Sequence, residues 1–442
     1  MKKLTSQSNI ARLPIEPHIV PRAEHVISRA NISENALKVL YRLKNAGYKA
    51  YLVGGGVRDL LLGREPKDFD VVTDARPQQV RELFRNCYLI GRRFRLAHVR
   101  FGREIVEVST FRAPHDAEPE GDGRVVGGRI VRDNVYGDID DDVWRRDFTV
   151  NALYYNIADF TVVDYVGGMG DIRAGQLRLI GNPARRYRED PVRMLRAIRF
   201  AVQLGFKIHP DTETPIDELG YLLAEIPPSR LCDEVMKLFL GGYALQTFER
   251  LRHHSLFVYL FPQTERCLSE EEGRFPHMLL VRALANTDAR VAENKPVIPA
   301  FLFAALLWDP MRRLANEYRA NGLNEMEATQ LASDAVISRQ VRRMAMPRVM
   351  TRMAREIWAL QARIGNLSGN RPVRLLRHPR FRAAYDFLLL RAEAGEDVKA
   401  AAEWWTAFQE ANESERRAML DELPAGRGRR KRRRRHRIKA DH

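Results

Sequence analysis

Residues 51–74 read YLVGGGVRDLLLGREPKDFDVVTD, placing three glycines, Gly54, Gly55 and Gly56, shortly ahead of two aspartates, Asp68 and Asp70. Glycines between a strand and a helix let the backbone approach a ligand without Cβ interference. The free N–H groups that open the helix then favour an anion such as a phosphate. An aspartate pair spaced D-x-D on a strand sends both carboxylates to one face. Two like charges held together favour a cation between them, and hard oxygen ligands suit Mg²⁺. A phosphate-cradling turn followed by a metal-binding carboxylate pair is the equipment of phosphoryl or nucleotidyl transfer. Arg58 and Asp59, directly after the glycines, add to the specificity of the pattern.

These residues need a mixed α/β scaffold. Residues 51–53 and 69–73 read as strands on either side of the glycine turn and a short helix. Upstream, Ser33 and Glu34 followed by Ala36, Leu37, Leu40 and Leu43 predict a capped helix ending at Gly47. Downstream, a helix over 77–84 leads to strands at 88–90, 96–101 and 105–111, with a hairpin turn at Gly102-Arg103. Residues 113–135, rich in Gly, Pro and charge, read as a flexible loop over the site. From Tyr187 helical periodicity takes over, most clearly at 190–204, 230–241, 244–251, 300–308 and 350–363. The expected class is α+β, with a mixed-sheet head, an all-helical body and a disordered basic tail. The expected segments are a flexible leader (1–30), a catalytic head (31–180), a helical neck (181–245), a helical body (246–420) and the tail (421–442).

Composition narrows the setting. The 442-residue chain carries a formal net charge of +16. Ten Lys/Arg fall within 427–439, leaving about +6 on the rest. So dense a basic run cannot fold alone and seeks phosphate, which points to nucleic acid as the partner. The RNA contacts expected there are Arg429, Arg430, Lys431, Arg432, Arg433, Arg434 and Arg435. Cys87, Cys232 and Cys267 lie far apart, against a disulfide framework or a zinc site. No apolar stretch follows Lys2 and Lys3 as in a signal peptide, and the longest apolar run, 300–308, is too short to span a bilayer. Cytoplasmic residence without a transmembrane segment is the expectation.

Two further clusters carry charge in an apolar context. Asp147 follows Arg145 and Arg146, which makes it either half of a buried ion pair or a functional carboxylate. Asp190, ahead of Arg193, Arg196 and Arg199, opens a helical segment with Pro191 in its first turn. Such a face is either a salt-bridged surface or a donor–acceptor pair for one nucleobase edge. His115-Asp116 lacks companion ligands, and His253-His254 reads as helix surface and packing.

The string G-G-G-V-R-D-L-L-L-G from Gly54, the D-x-D and the V-T that follows resemble the head of the polymerase-β-like nucleotidyltransferases. More narrowly, they are similar to class II CCA-adding enzymes and bacterial poly(A) polymerases. The likeness extends to T-F-R ending at Arg112, R-R-D-F-T-V-N-A from Arg145, and E-D-P-V-R-M-L-R from Glu189. It covers roughly residues 30–420, and the fuller run L-I-G-N-P…R-Y-R-E-D-P-V-R-M leans to the poly(A) polymerases. The resemblance implies addition of AMP from ATP to RNA 3′ ends without a template, with CCA addition to tRNA as the alternative. It implies two Mg²⁺ on Asp68 and Asp70, and Asp147 as a third catalytic carboxylate; Glu107, mid-strand between Val106 and Val108, ranks below Asp147 for that position and could equally orient Arg112 or face solvent. Gly54, Gly55 and Arg58 would hold the triphosphate with Arg112 as a further contact, Asp59 and Arg146 would bind the nucleotide, and Asp190 and Arg193 would hold the adenine. Arg196 and Arg199 would serve phosphates or packing. RNA 3′ ends, ATP and RNA-decay proteins are the implied partners.

Deleting residues 427–442 is expected to weaken RNA affinity and flatten its dependence on salt while sparing the chemistry. Filter binding across a salt series checks this; unchanged affinity at moderate salt would refute the tail as an RNA arm.

Overall fold

The computed structural model describes residues 16–91, 95–113, 121–126, 129–270, 277–365 and 367–424. The seven basic residues singled out at 429–435, and His115-Asp116, lie outside them. The fold parts into two compact units, residues 1–225 and 226–442, so the division falls inside the segment expected as a neck.

The first unit begins with β1 (His18–Val20), α1 (Glu34–Asn45), β2 (Ala50–Val53), α2 (Gly55–Leu61) and β3 (Asp70–Thr73). There follow α3 (Pro77–Leu83), β4 (Cys87–Ile90), β5 (Leu96–Phe101), β6 (Glu104–Thr110), β7 (Gly121–Val126) and β8 (Arg129–Val135). Then come α4 (Ile139–Arg145), a 3₁₀ turn at Thr149–Asn151, β9 (Leu153–Asn156), β10 (Val162–Asp164) and α5 (Gly168–Ala174). The unit continues through α6 (Pro183–Glu189), α7 (Val192–Leu204) and α8 (Pro210–Leu219). Eight strands form one sheet in the order β1-β10-β9-β2-β3-β6-β5-β4, and β7 pairs with β8 separately. All neighbours in the large sheet run antiparallel except β3 and β6.

Several elements follow directly from local chemistry. Ser33 caps α1, its hydroxyl accepting from the N–H groups of Asn35 and Ala36. Ala36, Val39, Leu40 and Leu43 put the buried stripe of α1 onto the sheet. The β5–β6 hairpin turns at Gly102, which has φ +62°. Three expectations are corrected. Residues 18–20 are not a loose leader, because they pair with β10 as an edge strand. Within 113–135, residues 121–126 and 129–135 form a strand pair with a register shift at Arg124/Val125, not an irregular loop. And β3 begins at Asp70, so Asp68 stands in the preceding loop and strand alternation does not aim it.

One chain of contacts fixes the segment around Asp147. Asp164, at the end of β10, is buried and its carboxylate accepts four backbone N–H groups, those of Val166, Gly167, Gly168 and Met169. This grip sets the start of α5, where Asp171 accepts from the Thr149 hydroxyl at 2.6 Å. Backbone bonds from Thr149 N to Arg178 O and from Ile180 N to Asp147 O close the same segment from the other side.

The second unit contains thirteen α-helices among its described residues. Buried Trp358 donates its indole N–H to Ala304 O, and Trp405 donates to Ile364 O, so each large ring is also satisfied as a donor. Among the described residues, no helix is long and apolar enough to cross a membrane.

A Cβ at Gly168 would stand 2.4 Å from the Thr149 carbonyl oxygen, closer than backbone can yield. Gly168→Ala is therefore expected to destabilise the first unit by about 2 kcal/mol or more. Urea denaturation followed by tryptophan fluorescence would report it; a parental midpoint would show that the approach is not tight.

Candidate active site

Asp70 sits at the meeting point of the sheet and the glycine turn. It lies opposite Val53 across β2–β3, so Gly54 follows immediately alongside it. Gly54 adopts φ +75° and ψ −141°, a conformation open essentially only to glycine, and a Cβ there would lie 3.7 Å from Asp70 Oδ2. On the other side, parallel pairing of β3 with β6 puts Glu107 directly beside Asp70. His98 is the neighbour of Glu107 on β5, with Nε2 at 3.3 Å from Glu107 Oε2. Asp68 is exposed in the loop that leads into β3. Burial pushes the Asp70 carboxyl up to about 6, Glu107 and Asp68 add to the rise, and Arg146 opposes it.

Arg146 is the nearby cation, and its own head is held firmly. It donates to Asp142 through Nε and a terminal nitrogen, and to the Tyr154 hydroxyl at 2.8 Å. Burial works against its charge, but Tyr154 and Asp142 raise its pKa above the ordinary arginine value. Arg58, expected at the triphosphate, turns into the protein instead. It is 7% exposed, donates twice to Asp59 Oδ1 and once to Asn151 Oδ1 at 2.6 Å, and lies over the Phe200 ring. Arg112 stands two residues past β6, bridged to Tyr136.

Asp147 is also turned inward. Its Oδ1 accepts from the Phe148 N–H at 2.8 Å and from Asn151 Nδ2 at 3.3 Å. Its Oδ2 accepts from Arg196 Nε at 2.7 Å and from a second Arg196 nitrogen. Those four donors fill the lone-pair positions of a carboxylate. Burial would raise its pKa, but Arg196, the Phe148 N–H and Asn151 outweigh it and hold the carboxyl at about 2. Asp147 is thus one half of an ion pair with Arg196.

The second cluster hangs from the break between α6 and α7. Asp190 caps the end of α6 in extended conformation, and Pro191 precedes α7. Arg193 donates to Arg186 O at 2.7 Å and to Glu189 Oε2 at 3.4 Å. Arg196 and Arg199 both lie over Phe200, at 5.3 and 4.4 Å from its centroid. Arg186, which sequence reasoning passed over, joins this cluster to the end of α4 by donating to the carbonyls of Arg145 and Arg146. Burial, and Arg193 beside it, lower its pKa to about 10. Asn151 was also missed. Its position four residues after Asp147 is visible in the sequence, but nothing there says that Arg58 is its other partner.

Likeness to known proteins follows the same map. The family description "Poly A polymerase head domain" matches residues 50–178. "Probable RNA and SrmB- binding site of polymerase A" matches 205–268, and "Polymerase A arginine-rich C-terminus" matches 321–439. Poly(A) polymerase I of Salmonella typhi is 50% identical over 438 residues, covering 96% of this chain and 94% of its own. The chain belongs to the poly(A) polymerase I family. The CCA-adding enzyme of Geobacillus stearothermophilus is a more distant relative of the family, 37% identical over 227 residues, 51% of this chain and 54% of its own. The fold of the family is shared with a solved structure of Bacillus stearothermophilus CCA-adding enzyme in complex with CTP. That structure is 27% identical, with TM-score 0.57, covering 85% of this chain and 82% of its own. The chain is accordingly a nucleotidyltransferase by family, with a mixed-sheet head and a helical body.

The raised Asp70 pKa has a consequence for stability. The unfolded carboxyl titrates near 3.8 and the folded one near 6, so the folded state binds the extra proton between those values. Stability attributable to Asp70 falls as pH rises from about 4 to about 6 and stays lower above. Without divalent cations, Asp70→Asn is expected to stabilise the fold by about 2–3 kcal/mol above pH 7 and to change little near pH 4. Urea melts of both proteins at the two pH values check the sign; parental stability at pH 7.5 would contradict the assignment.

Proposed function

We propose that this protein adds AMP from ATP to RNA 3′ ends without a template. The 3′-hydroxyl loses its proton to solvent as its oxygen bonds the α-phosphorus, the bond from the α-phosphorus to the oxygen bridging to the β-phosphorus breaks, and pyrophosphate leaves with the RNA one nucleotide longer. The observation that carries the reading is the reach of the likeness. The Salmonella typhi poly(A) polymerase matches along 96% of the chain, the CCA-adding enzyme along about half. The head alone, common to both groups, would not separate them.

Within that reading, Asp68, Asp70 and Glu107 are the carboxylates that would hold Mg²⁺. The donor set suits it: hard oxygens, like charges in adjacent register, and a pKa of about 6 on Asp70 that a bound cation would relieve. When bound, Mg²⁺ supplies neutralisation of the charge that develops on the transferred phosphoryl group. Glu107 takes the third position because Asp147 has no acceptor capacity left. Asp147 orients Arg196 and thereby α7. Gly54 and Gly55 admit the triphosphate beside Asp70, with Arg58 and Asp59 bracing the turn from below and Arg112 and Arg146 supplying positive potential. Asp190 and Arg193, at the α6–α7 break, select adenine. The basic segment 429–435 holds RNA, and cytoplasmic residence and contact with RNA-decay proteins complete the proposal.

Primer extension on a short unstructured RNA with Mg²⁺ tests it, offering ATP alone, CTP alone or both. A long ladder with ATP and little with CTP is expected. No extension there, with C, C and A added to truncated tRNA, would make the protein a repair enzyme instead. In the same assay Asp68→Ala and Glu107→Gln should each lower kcat by about 100-fold or more with RNA binding retained; near-parental turnover in either would remove that residue from the carboxylate set.

A further inference from the structure

We infer that Asn151 is a positioning residue that couples the glycine turn to the helix carrying the base-selecting residues. The inference rests on the nucleotidyl-transfer reading above and assigns a role to a side chain whose hydrogen bonds go to Arg58 and Asp147. Asn151 is 7% exposed and sits at the end of the 3₁₀ turn between α4 and β9. Its amide faces two ways. The oxygen accepts from Arg58 at 2.6 Å, and the nitrogen donates to Asp147 Oδ1 at 3.3 Å. Asp147 in turn holds Arg196 of α7. The sequence of contacts is therefore Arg58, Asn151, Asp147, Arg196, running from α2 to α7 through one neutral amide.

The chemistry of the amide matters. Arg58 needs an acceptor and Asp147 needs a donor, and among side chains of this size only asparagine presents both in one plane. Two features show that both ends are tied to the site. A Cβ on Gly55 would lie 3.4 Å from a terminal nitrogen of Arg58, so the Arg58 head is packed against the turn itself. At the other end, Arg196 stands one helical turn from Arg193, on the same element. Phe200 closes the arrangement, since Arg58, Arg196 and Arg199 all lie over its ring, at 5.3, 5.3 and 4.4 Å. A shift of α7 relative to the turn must break this line of contacts, and a break in the line frees α7 to shift.

The test uses the full chain with saturating RNA. Steady-state kinetics with ATP and with CTP are compared for the parent, Asn151→Asp, Asn151→Ala, Arg196→Lys and the double variant Asn151→Asp/Arg196→Lys. Asn151→Asp keeps an acceptor for Arg58 but replaces the donor to Asp147 with a like charge, so it breaks the line at one joint with little change of shape. It is expected to lower kcat/KM for ATP by about tenfold to a hundredfold through misplacement of the bound nucleotide. The ATP-over-CTP preference should narrow, and KM for RNA should stay the same. The double variant should be no worse than the poorer single one, because both cut the same line. Fully multiplicative losses, or an unchanged ATP-over-CTP ratio in a variant with reduced kcat, would overturn the inference and leave Asn151 a packing residue. If Asn151→Ala fails to fold, Asn151→Asp and Arg196→Lys carry the same comparison. A parent that does not extend RNA with ATP would instead refute the underlying reading, so the two failures are distinguishable.

Discussion

The head depends on a carboxylate turned largely away from water. The Asp147 side chain is only 12% exposed, and an ion so far withdrawn from solvent is tolerated only where its lone pairs meet donors. Arg196, Asn151 and the Phe148 N–H meet that demand and keep it ionised to about pH 2. The satisfied carboxylate becomes a joint at which three pieces of chain must agree: the end of α4, the 3₁₀ turn and α7. Asp171 and Arg186 repeat the device around it with partners from distant segments, and Asp164 does so locally with the N–H groups that open α5.

The Asp70–Glu107 pair is the opposite kind of construction. The parallel register places like charges side by side, and the raised Asp70 pKa expresses the conflict. The fold tolerates this because the surrounding sheet over-determines the positions of both strands, and such tolerated conflicts concentrate where a ligand is to be bound. One set of acids is satisfied within the protein and holds its shape. The other sets like charges side by side, with His98 against Glu107, and suits a cation and a substrate.

How much of this could be read in the sequence depends on how local the cause is. The cap at Ser33, the hairpin turn at Gly102 and the helix after Pro191 arise from residues a few positions apart, and each was legible. The glycine turn was legible for the same reason. The edge strand at 18–20 was not, because its partner lies at 162–164 and its proline-flanked composition hides the pairing. Nor could the sequence choose between an ion pair and a catalytic role for Asp147, since Arg196 is 49 residues away. The family pattern favoured catalysis there, and only the packed arrangement exposes a full set of donors. The partner of Arg58 was hidden in the same way: beside the glycines in sequence, it faces Asn151, 93 positions on.

The sheet order also governs when the site can exist during folding. Strands β3 and β6, which carry Asp70 and Glu107, are separated in sequence by α3, β4 and β5, and their parallel pairing cannot form as a simple hairpin. Contacts of this kind form late, after loop-closure entropy has been overcome. The two carboxylates come side by side only once α3, β4 and β5 have been spanned. On a chain emerging from the ribosome, His18–Val20 stays without its partner strand until Asp164 has been made, so the sheet gains that edge strand only when nearly all of the head is available.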